Sequence, residues 1–286
     1  MRKTEQNISI LIMIKSVYQS LSKAEQKVAD FVLKNADETI YSSVTLLAEK
    51  AGVGETSVIR FCRKLGCRGF QDFKLSIAQD LVNPTEQVNG EIKEDDSIET
   101  ICSKITSHNI SALNNTTSLL SKHELMKATN TFEMAKKIYF FGIGSSGITA
   151  NDAKYRFMRL GFNADSATDS HIIAMNASLV SKEDVVVGIS SSGSTKDLVE
   201  GIKIAKKNGA HIIALTNHAK SPITLYADTI LLSASKETPF QGGAFASKIA
   251  QIHVLDLLST LIALNQKDRT YSAIERTAKA VVDKLY

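Results

Sequence analysis

The feature that most constrains the fold is a change of hydrophobic pattern near residue 128. Before it, apolar residues recur only at helical spacing, whereas after it short apolar runs alternate with helical segments. Strands that alternate with helices through short connections form parallel sheets with right-handed crossovers. Because the runs are continuously apolar, both faces of that sheet should be covered. The sequence therefore predicts an α/β domain with a doubly wound, parallel, five-stranded sheet, preceded by an all-α part.

The alternating pattern can be resolved into nine elements. The predicted strands are Ile138–Phe141, Phe162–Ala164, Val185–Ile189, His211–Leu215 and Thr229–Leu232. The predicted helices that follow them are Ser146–Leu160, Asp169–Val180, Thr195–Asn208 and approximately Ala246–Leu264.

The chain length of 286 residues is enough for two domains. We expect an all-α helix-turn-helix domain over residues 1–80 and a helical connector over residues 81–127. Pro84 breaks the helix between them, because proline lacks an amide donor and restricts its predecessor. Residues 128–286 would then form the sheet-containing domain together with the C-terminal helices.

Composition excludes several classes of protein. Hydrophobic residues make up 43% and charged residues 22% of the chain, as in ordinary globular proteins. The three cysteines have no CxxC or zinc-binding spacing, so reduced thiols are expected. The N-terminus has no signal-peptide pattern, and the apolar runs look too short to span a bilayer. We therefore expect a cytoplasmic protein with no membrane association, no metal site and no cofactor.

Positive charge is concentrated in one short segment of the N-terminal part. Residues 50–74 contain six basic residues and two acidic ones, although the whole chain carries a net charge of only +4. A compact basic patch is the electrostatic footprint of phosphate-backbone binding, but it is also compatible with a solvated helix face.

Residues 43–65 have the layout of a helix-turn-helix, with a short helix, a turn containing Gly52 and Gly54, and a longer second helix. On the second helix one face is apolar and would be buried. The opposite side offers groups that can contact bases or phosphates. The candidate DNA-binding residues are Thr56, Ser57, Arg60, Arg63 and Lys64.

Two glycine- and serine-rich loops follow predicted strands. Gly142, Gly144 and Gly147 form a GxGxxG pattern between a strand and a helix, and Asp165 follows at about the distance of a ribose-binding acid. These residues leave open an NAD(H)-sensing repressor. The second loop, residues 190–195, places five hydroxyl groups and a glycine at a helix N-terminus, which favours an anion such as phosphate.

Residues 138–232 resemble the sugar isomerase (SIS) domain. Residues 190–195, SSSGST, look like its phosphate loop, and residues 142–146, GIGSS, look like its first sugar-contacting loop. Residues 1–80 resemble the N-terminal module of RpiR-type transcriptional regulators, especially in the stretch VIRFCRKLG at residues 58–66. Residues 242–251 are similar to that family's C-terminal segment.

The resemblance implies a flavodoxin-like strand order and a phosphosugar site. In that site Ser190, Ser192 and Thr195 would hold the phosphate, with Ser191 assisting. The implied sugar contacts are Ser145 and Ser146, with His171 and Lys248 as further ligand contacts.

The resemblance also implies a function: a homodimeric bacterial regulator that binds double-stranded operator DNA and responds to a phosphosugar. We expect a repressor of a sugar or amino-sugar catabolic operon, sialic-acid catabolism included, with an N-acetylated or amino hexose 6-phosphate as effector. The enzymatic alternative is an aldose–ketose phosphosugar isomerase with His171, Glu200 or Glu237 as general base. Because isomerisation has no use for a DNA-binding module, we expect no enzymatic activity.

Overall fold

The computed structural model describes residues 10–81, 95–234 and 245–284. It divides into two compact units, with the division between Ser107 and His108. The first unit is helical in its described residues, and the second contains the sheet.

Six helices of the first unit, all within residues 10–81, surround one apolar core. Phe61 and Phe73 are fully buried at its centre, and their rings meet edge to face with centroids 5.5 Å apart. Burial of each large apolar side chain stabilises the fold by about 1.5–3 kcal/mol. The helices are α1 (Ile10–Val17), α2 (Lys23–Lys34), α3 (Ala36–Tyr41), α4 (Val44–Lys50), α5 (Glu55–Lys64) and α6 (Phe70–Leu81).

A capping box fixes the start of α2. The Ser22 hydroxyl accepts from the Glu25 amide at 3.4 Å, and the Glu25 carboxylate accepts from the Ser22 amide at 2.8 Å. The Ser22 amide also holds the pKa of Glu25 below its ordinary value.

Two helices lead towards the sheet. Helix α7 (Ile98–Leu119) begins in the first unit and ends in the second, and α8 (Lys122–Met134) lies wholly in the second. The predicted helical connector, residues 81–127, contains all of α7, but its predicted end falls inside α8, which continues to Met134.

The second unit contains a five-stranded parallel sheet in the order β2-β1-β3-β4-β5, which confirms the predicted doubly wound, flavodoxin-like topology. One predicted strand was misplaced, because Phe162–Ala164 precedes most of the observed β2. The residues of β2 are small or polar and lie at the edge of the sheet, so they lack the apolar run of a central strand. The strands are β1 (Lys137–Gly142), β2 (Ala164–Ala167), β3 (Asp184–Ile189), β4 (His211–Thr216) and β5 (Thr229–Leu232).

Helices cover both faces of the sheet. One apolar cluster joins β1, β3 and β4 to α8 and to two later helices, α9 and α12, and a second cluster joins the opposite face to α10 and α11. These later helices and the last described one are α9 (Ser145–Arg159), α10 (Ser170–Leu179), α11 (Lys196–Lys207), α12 (Phe245–Asn265) and α13 (Lys267–Lys279).

Within α12, residues Ser247–Asn265 are long and apolar enough to cross a membrane by length and composition. The expectation that no segment reaches that length was therefore wrong. In the fold this helix packs on the sheet, where Val254, Leu255 and Leu258 are at most 1% exposed. That burial is typical of the core helix of a globular domain.

The open side of the edge strand β5 is occupied by side chains from α7 and α8. The Ile230 amide donates to the Glu124 carboxylate at 3.0 Å, and the Ala234 amide, just after the strand, donates to the Thr116 hydroxyl at 2.9 Å. Side chains thus replace the neighbouring strand that these two amides lack.

Candidate functional sites

Helices α4 and α5 form the predicted helix-turn-helix. Between them Gly52 has φ +64°, a conformation that favours glycine, and the Val53 amide closes the turn on the Ala48 carbonyl at 2.9 Å. The Thr45 hydroxyl also donates to the carboxylate of Glu55 in the first turn of α5. The apolar face of α5 is buried as predicted, through Val58 and Cys62. The second helix is therefore fixed at its start and along its length.

The opposite side of α5 carries the predicted DNA-binding residues. Thr56, Arg60 and Arg63 are exposed, and Ser57 is half-buried. Lys64 is also exposed, but its ammonium lies 3.5 Å from the Glu25 carboxylate and donates to the Ser20 carbonyl. In this structure Lys64 therefore ties α5 to the start of α2 and to the turn that precedes it.

The other basic residues of segment 50–74 are also engaged within the unit. Lys50 pairs with Glu38, and Arg68 lies 3.5 Å from Asp72. Lys74 is 7% exposed. Its ammonium donates to a backbone carbonyl at 3.1 Å.

Arg60 and Arg63 form no ion pair with any residue in the described part of the chain. The charge that this segment offers to a partner is therefore carried by these two arginines of α5 and by Arg68, whose side chain is 91% exposed despite its pair with Asp72.

In the second unit, the two glycine- and serine-rich loops follow the adjacent strands β1 and β3. The last residues of these strands, Gly142 and Ile189, are register partners. From there the chain enters α9 on one face of the sheet and α11 on the other. This is the topological switch point, where open α/β sheets bind their ligands.

The first loop needs glycine for close packing. A Cβ added to Gly142 would lie 2.5 Å from the Ser146 carbonyl oxygen, and Gly144 has φ +63°. The turn places Ser145 at the first position of α9, half-buried, and buries Ser146. The predicted sugar-contacting pair thus lies at the helix N-terminus, next to the carboxyl end of β1.

The second loop, residues 190–195, is called the serine loop here. Each of three consecutive hydroxyl oxygens accepts an N–H from the protein. Ser190 accepts from the Gly193 amide at 3.1 Å, and Ser192 accepts from the Ser194 amide at 3.2 Å. Ser191 accepts from the side-chain amide of Gln251 on α12 at 3.0 Å.

These bonds determine what the serine loop can offer a ligand. A hydroxyl has one donor and two acceptor positions, so accepting an N–H leaves its own proton available. The Ser190 and Thr195 hydroxyls, 3.2 Å apart, share one further hydrogen bond. Thr195 is the N-cap of α11 and makes no side-chain cap bond, so the helix N-terminus retains unsatisfied amides. The arrangement favours an acceptor-only group with negative charge, such as phosphate.

Gly193 makes the loop possible. It has φ +62°, and a Cβ at this position would lie 2.2 Å from the Ser221 hydroxyl oxygen. Its carbonyl accepts from the Ile223 amide at 2.9 Å. The loop is thus anchored on the segment after β4.

Two contributors to this site were missed from the sequence. Gln251 and Thr149 are 2% and 0% exposed, and the Thr149 hydroxyl donates to the Gln251 side-chain carbonyl at 3.1 Å. Both lie on helices predicted from apolar periodicity, where a single polar residue gives no indication of its partner. The contact between Gln251 and Ser191 spans 60 residues, so no local pattern indicates it.

The remaining predicted ligand contacts lie on helix starts. His171 is exposed in the first turn of α10, where its amide donates to the Asp169 cap at 2.9 Å. Lys248 is half-buried in the first turn of α12, one turn before Gln251. Of the proposed isomerase bases, His171 and Glu200 are exposed, and Glu237 lies outside the described residues.

The structure does not place Asp165 where a ribose-binding acid of an NAD(H) site is expected. Asp165 is the second residue of β2, which continues to Ala167, so it does not follow the strand as predicted. Its carboxylate lies 2.9 Å from the Lys154 ammonium and 3.5 Å from that of Lys137. Burial alone would raise the pKa of Asp165, but the Lys154 ammonium and the Ser166 amide lower it below its ordinary value. The carboxylate is thus paired with lysines within its own domain.

Comparison with known proteins identifies both domains of the chain. A family model for the SIS domain matches residues 131–261, and one for the helix-turn-helix domain of the rpiR family matches residues 8–84. The transcriptional regulator HexR of Escherichia coli is 36% identical over 280 residues, covering 98% of this chain and 96% of its own. An uncharacterised HTH-type regulator of Haemophilus influenzae is 36% identical over 279 residues, with 96% and 97% covered.

Among solved structures, the Vibrio vulnificus NanR protein complexed with ManNAc-6P superposes with a TM-score of 0.87 at 30% identity. The superposition covers 96% of this chain and 99% of that one. With a helix-turn-helix unit, a SIS domain and full-length relatives that are named as regulators, the chain belongs to the RpiR family of transcriptional regulators.

Proposed function

We propose that this protein is a bacterial repressor of a sugar or amino-sugar catabolic operon, with sialic-acid catabolism as a specific case. Its effector is a hexose 6-phosphate, preferably N-acetylated or amino-substituted. The observation that carries the proposal is the serine loop, where three successive hydroxyls accept N–H groups. Ser191 and Ser192 thereby keep their protons for an anion, and the Ser190–Thr195 pair, which shares one hydrogen bond, keeps one. NanR, whose structure contains ManNAc-6P, supports the choice of sugar.

The phosphate is held by Ser190, Ser192 and Thr195, with Ser191 assisting. Ser145 and Ser146, at the adjacent helix N-terminus, contact the sugar. His171 and Lys248 complete the ligand contacts. Both helix N-termini add favourable dipoles for a dianion. The first turn of α9 has no acidic residue, and that of α11 has one, Asp197, which is exposed.

The operator is bound by α5. The N-terminal part of α5, with Thr56, Ser57 and Arg60, meets base edges in the major groove. Arg63 and Lys64, near its C-terminal end, approach phosphates. The effector releases the operator because it binds the DNA-incompetent arrangement more tightly than the competent one. Differential affinity is the only way in which a ligand can shift such an equilibrium.

The working form is a homodimer, which presents two recognition helices to successive half-sites of a pseudo-palindrome. Support comes from α10, where Ile172, Met175 and Leu179 are 45%, 54% and 78% exposed at i, i+3 and i+7. Ile148 and Tyr155 of α9, the other helix that packs on β2, are also more than half exposed. An apolar surface of this kind favours pairing with a second copy of the chain.

The experiment is a thermal-shift screen of the full chain against hexose and amino-hexose 6-phosphates, N-acetylmannosamine 6-phosphate included. A ligand at about 100 times its Kd adds about 2.7 kcal/mol to the folded state. We expect one or a few phosphosugars to stabilise the protein and to release it from its operator in a mobility-shift assay. The unphosphorylated sugars serve as controls. Equal stabilisation by sugar and sugar phosphate, or none by any phosphosugar, would overturn the proposal.

A further inference from the structure

A buried chain of three polar side chains connects two helices to the serine loop. The Thr149 hydroxyl of α9 donates to the Gln251 carbonyl at 3.1 Å, and the Gln251 NH₂ group donates to the Ser191 hydroxyl oxygen at 3.0 Å. Thr149 and Gln251 are almost completely excluded from solvent, whereas Ser191 is half-buried at the loop surface. The hydrogen-bonded side chains therefore connect the core of the domain to the candidate anion site.

This series of hydrogen bonds, from Thr149 through Gln251 to Ser191, has a direction. A primary amide accepts at its oxygen and donates at its nitrogen. Because Thr149 occupies the oxygen end, the NH₂ end of Gln251 faces Ser191. Ser191 is thereby an acceptor towards the protein, which leaves its proton free to be donated outward.

Ser191 is held from the other side by its backbone. Its carbonyl accepts from the Asn217 amide at 3.1 Å and from the Thr216 hydroxyl at 3.3 Å, at the end of β4. These contacts fix the main chain but leave the side-chain torsion undetermined. Among the described residues, the hydrogen bond from Gln251 is the contact that orients the Ser191 hydroxyl.

We propose that Gln251 is a positioning residue of the effector site: its side-chain amide, oriented by Thr149, orders the serine loop and turns the Ser191 proton towards the ligand anion. This inference rests on the proposed function for its ligand but not for the ordering of the loop. The same bond holds the first turns of α12, which include Lys248, beside the loop.

The first arm of the test needs no ligand. Hydrogen exchange is measured on the full chain for wild type, Gln251→Met, the double variant Thr149→Val/Gln251→Met, and Gln71→Met. Methionine keeps the length of glutamine but neither donates nor accepts like an amide. Gln71 is exposed on α6 and is the matched control. In the double variant valine replaces Thr149, so no buried hydroxyl is left without a partner and the cost of an unsatisfied group is removed.

We expect exchange in the peptide that covers the serine loop to rise about tenfold in both Gln251 variants, the factor that corresponds to one lost hydrogen bond. The control should match wild type. Recovery of wild-type exchange in the double variant would assign Gln251 a packing role only and would overturn the proposal, as would unchanged exchange in Gln251→Met.

The second arm measures phosphosugar affinity by calorimetry, with the hexose 6-phosphate that the thermal-shift screen selects. Gln251→Met should bind about tenfold more weakly. Gln251→Glu should lose more, since a carboxylate accepts the Ser191 proton and repels the phosphate. Equal affinity of Gln251→Glu and wild type contradicts the proposal. If no phosphosugar binds even the wild type, the proposed function fails, while the exchange arm still decides the role of Gln251.

Discussion

The recognition helix α5 and the serine loop use opposite ways of preparing a site for a phosphate-bearing partner. On α5 the rigid part is the backbone, and the arginines at positions 60 and 63 extend into solvent without ion pairs in the described part of the chain. In the serine loop the functional groups are short hydroxyls, and the first three, those of residues 190–192, are each already bonded to an N–H of the protein.

The difference matches the two partners. DNA binding gains a large share of its affinity from salt-dependent electrostatic attraction to the phosphates. Long, flexible basic side chains can supply this attraction without a fixed geometry. A small phosphosugar offers few contacts, so affinity requires groups whose orientation is fixed before binding. Substitutions should accordingly act on geometry in the loop and on charge on the helix.

The largest effect is expected for Gly193→Ala. A Cβ here would lie 2.2 Å from the Ser221 hydroxyl oxygen at a backbone φ of +62°, so the loop must deform. We expect the free energy of unfolding of the second unit to fall by about 1–3 kcal/mol and stabilisation by phosphosugar to disappear. Denaturant unfolding and thermal shift measure these two quantities.

Gly54→Ala, in the turn before α5, is the matched control. Its φ is −82° and an added Cβ meets nothing within 4 Å. The change should leave the phosphosugar response as in wild type. A similar loss of response in both variants would contradict the contrast between a tightly packed loop and an open turn.

Ser192→Ala removes one oriented hydroxyl while keeping the backbone. A hydrogen bond to a charged group contributes about 1.5–3 kcal/mol, so phosphosugar affinity should fall by one to two orders of magnitude. Operator affinity without ligand should not change. Calorimetry tests the phosphosugar affinity and a mobility-shift assay the operator affinity, with the half-buried Ser259→Ala on α12 as control. A normal ligand response would remove Ser192 from the phosphate site.

On α5, Arg60→Ala should weaken operator binding by about 1–3 kcal/mol and relax sequence preference if the guanidinium contacts a base. Arg63→Ala should weaken specific and non-specific DNA alike and lower the salt slope of binding by about one. Fluorescence anisotropy at several salt concentrations separates the two. Identical salt slopes and sequence preferences for both variants would contradict the assignment of Arg60 to a base and Arg63 to a phosphate.

Lys64→Met should have the smallest effect of these five variants. Its ammonium lies beside the Glu25 carboxylate and is partly exposed, so the pair contributes less than about 1 kcal/mol to stability. We expect DNA affinity to fall less than in Arg63→Ala, measured in the same anisotropy assay. A larger loss than in Arg63→Ala would contradict this ranking and show that the pair with Glu25 does not limit the contribution of Lys64 to DNA binding.

The sequence predicted well wherever a pattern is local. The strands β1, β3 and β4 are continuous apolar runs, and the serine loop is a contiguous motif. The sequence failed where local signals are weak or misleading. Helix α3 is only six residues long, α13 is predominantly polar, and β2 has no large apolar residue.

Contacts between segments that are distant in the sequence could not be predicted from a local pattern. Lys74 counts as positive charge in the composition, yet its stem is buried and its ammonium bonds to the Ser42 carbonyl. Gln251 reaches the serine loop only because α12 packs beside α9 on the sheet. Such residues need the assembled fold before their partner is known.

The side chains of Glu124 and Thr116 on the open side of β5 bear on how the protein behaves when it is crowded. An exposed strand edge is a template on which a further strand, from any chain, can add and start a growing aggregate. With the amides of Ile230 and Ala234 already engaged, that template is blocked at these two positions. Association through this edge would first have to break hydrogen bonds within the domain. Association through helix faces, which forms a closed dimer, is therefore favoured over open-ended addition of strands.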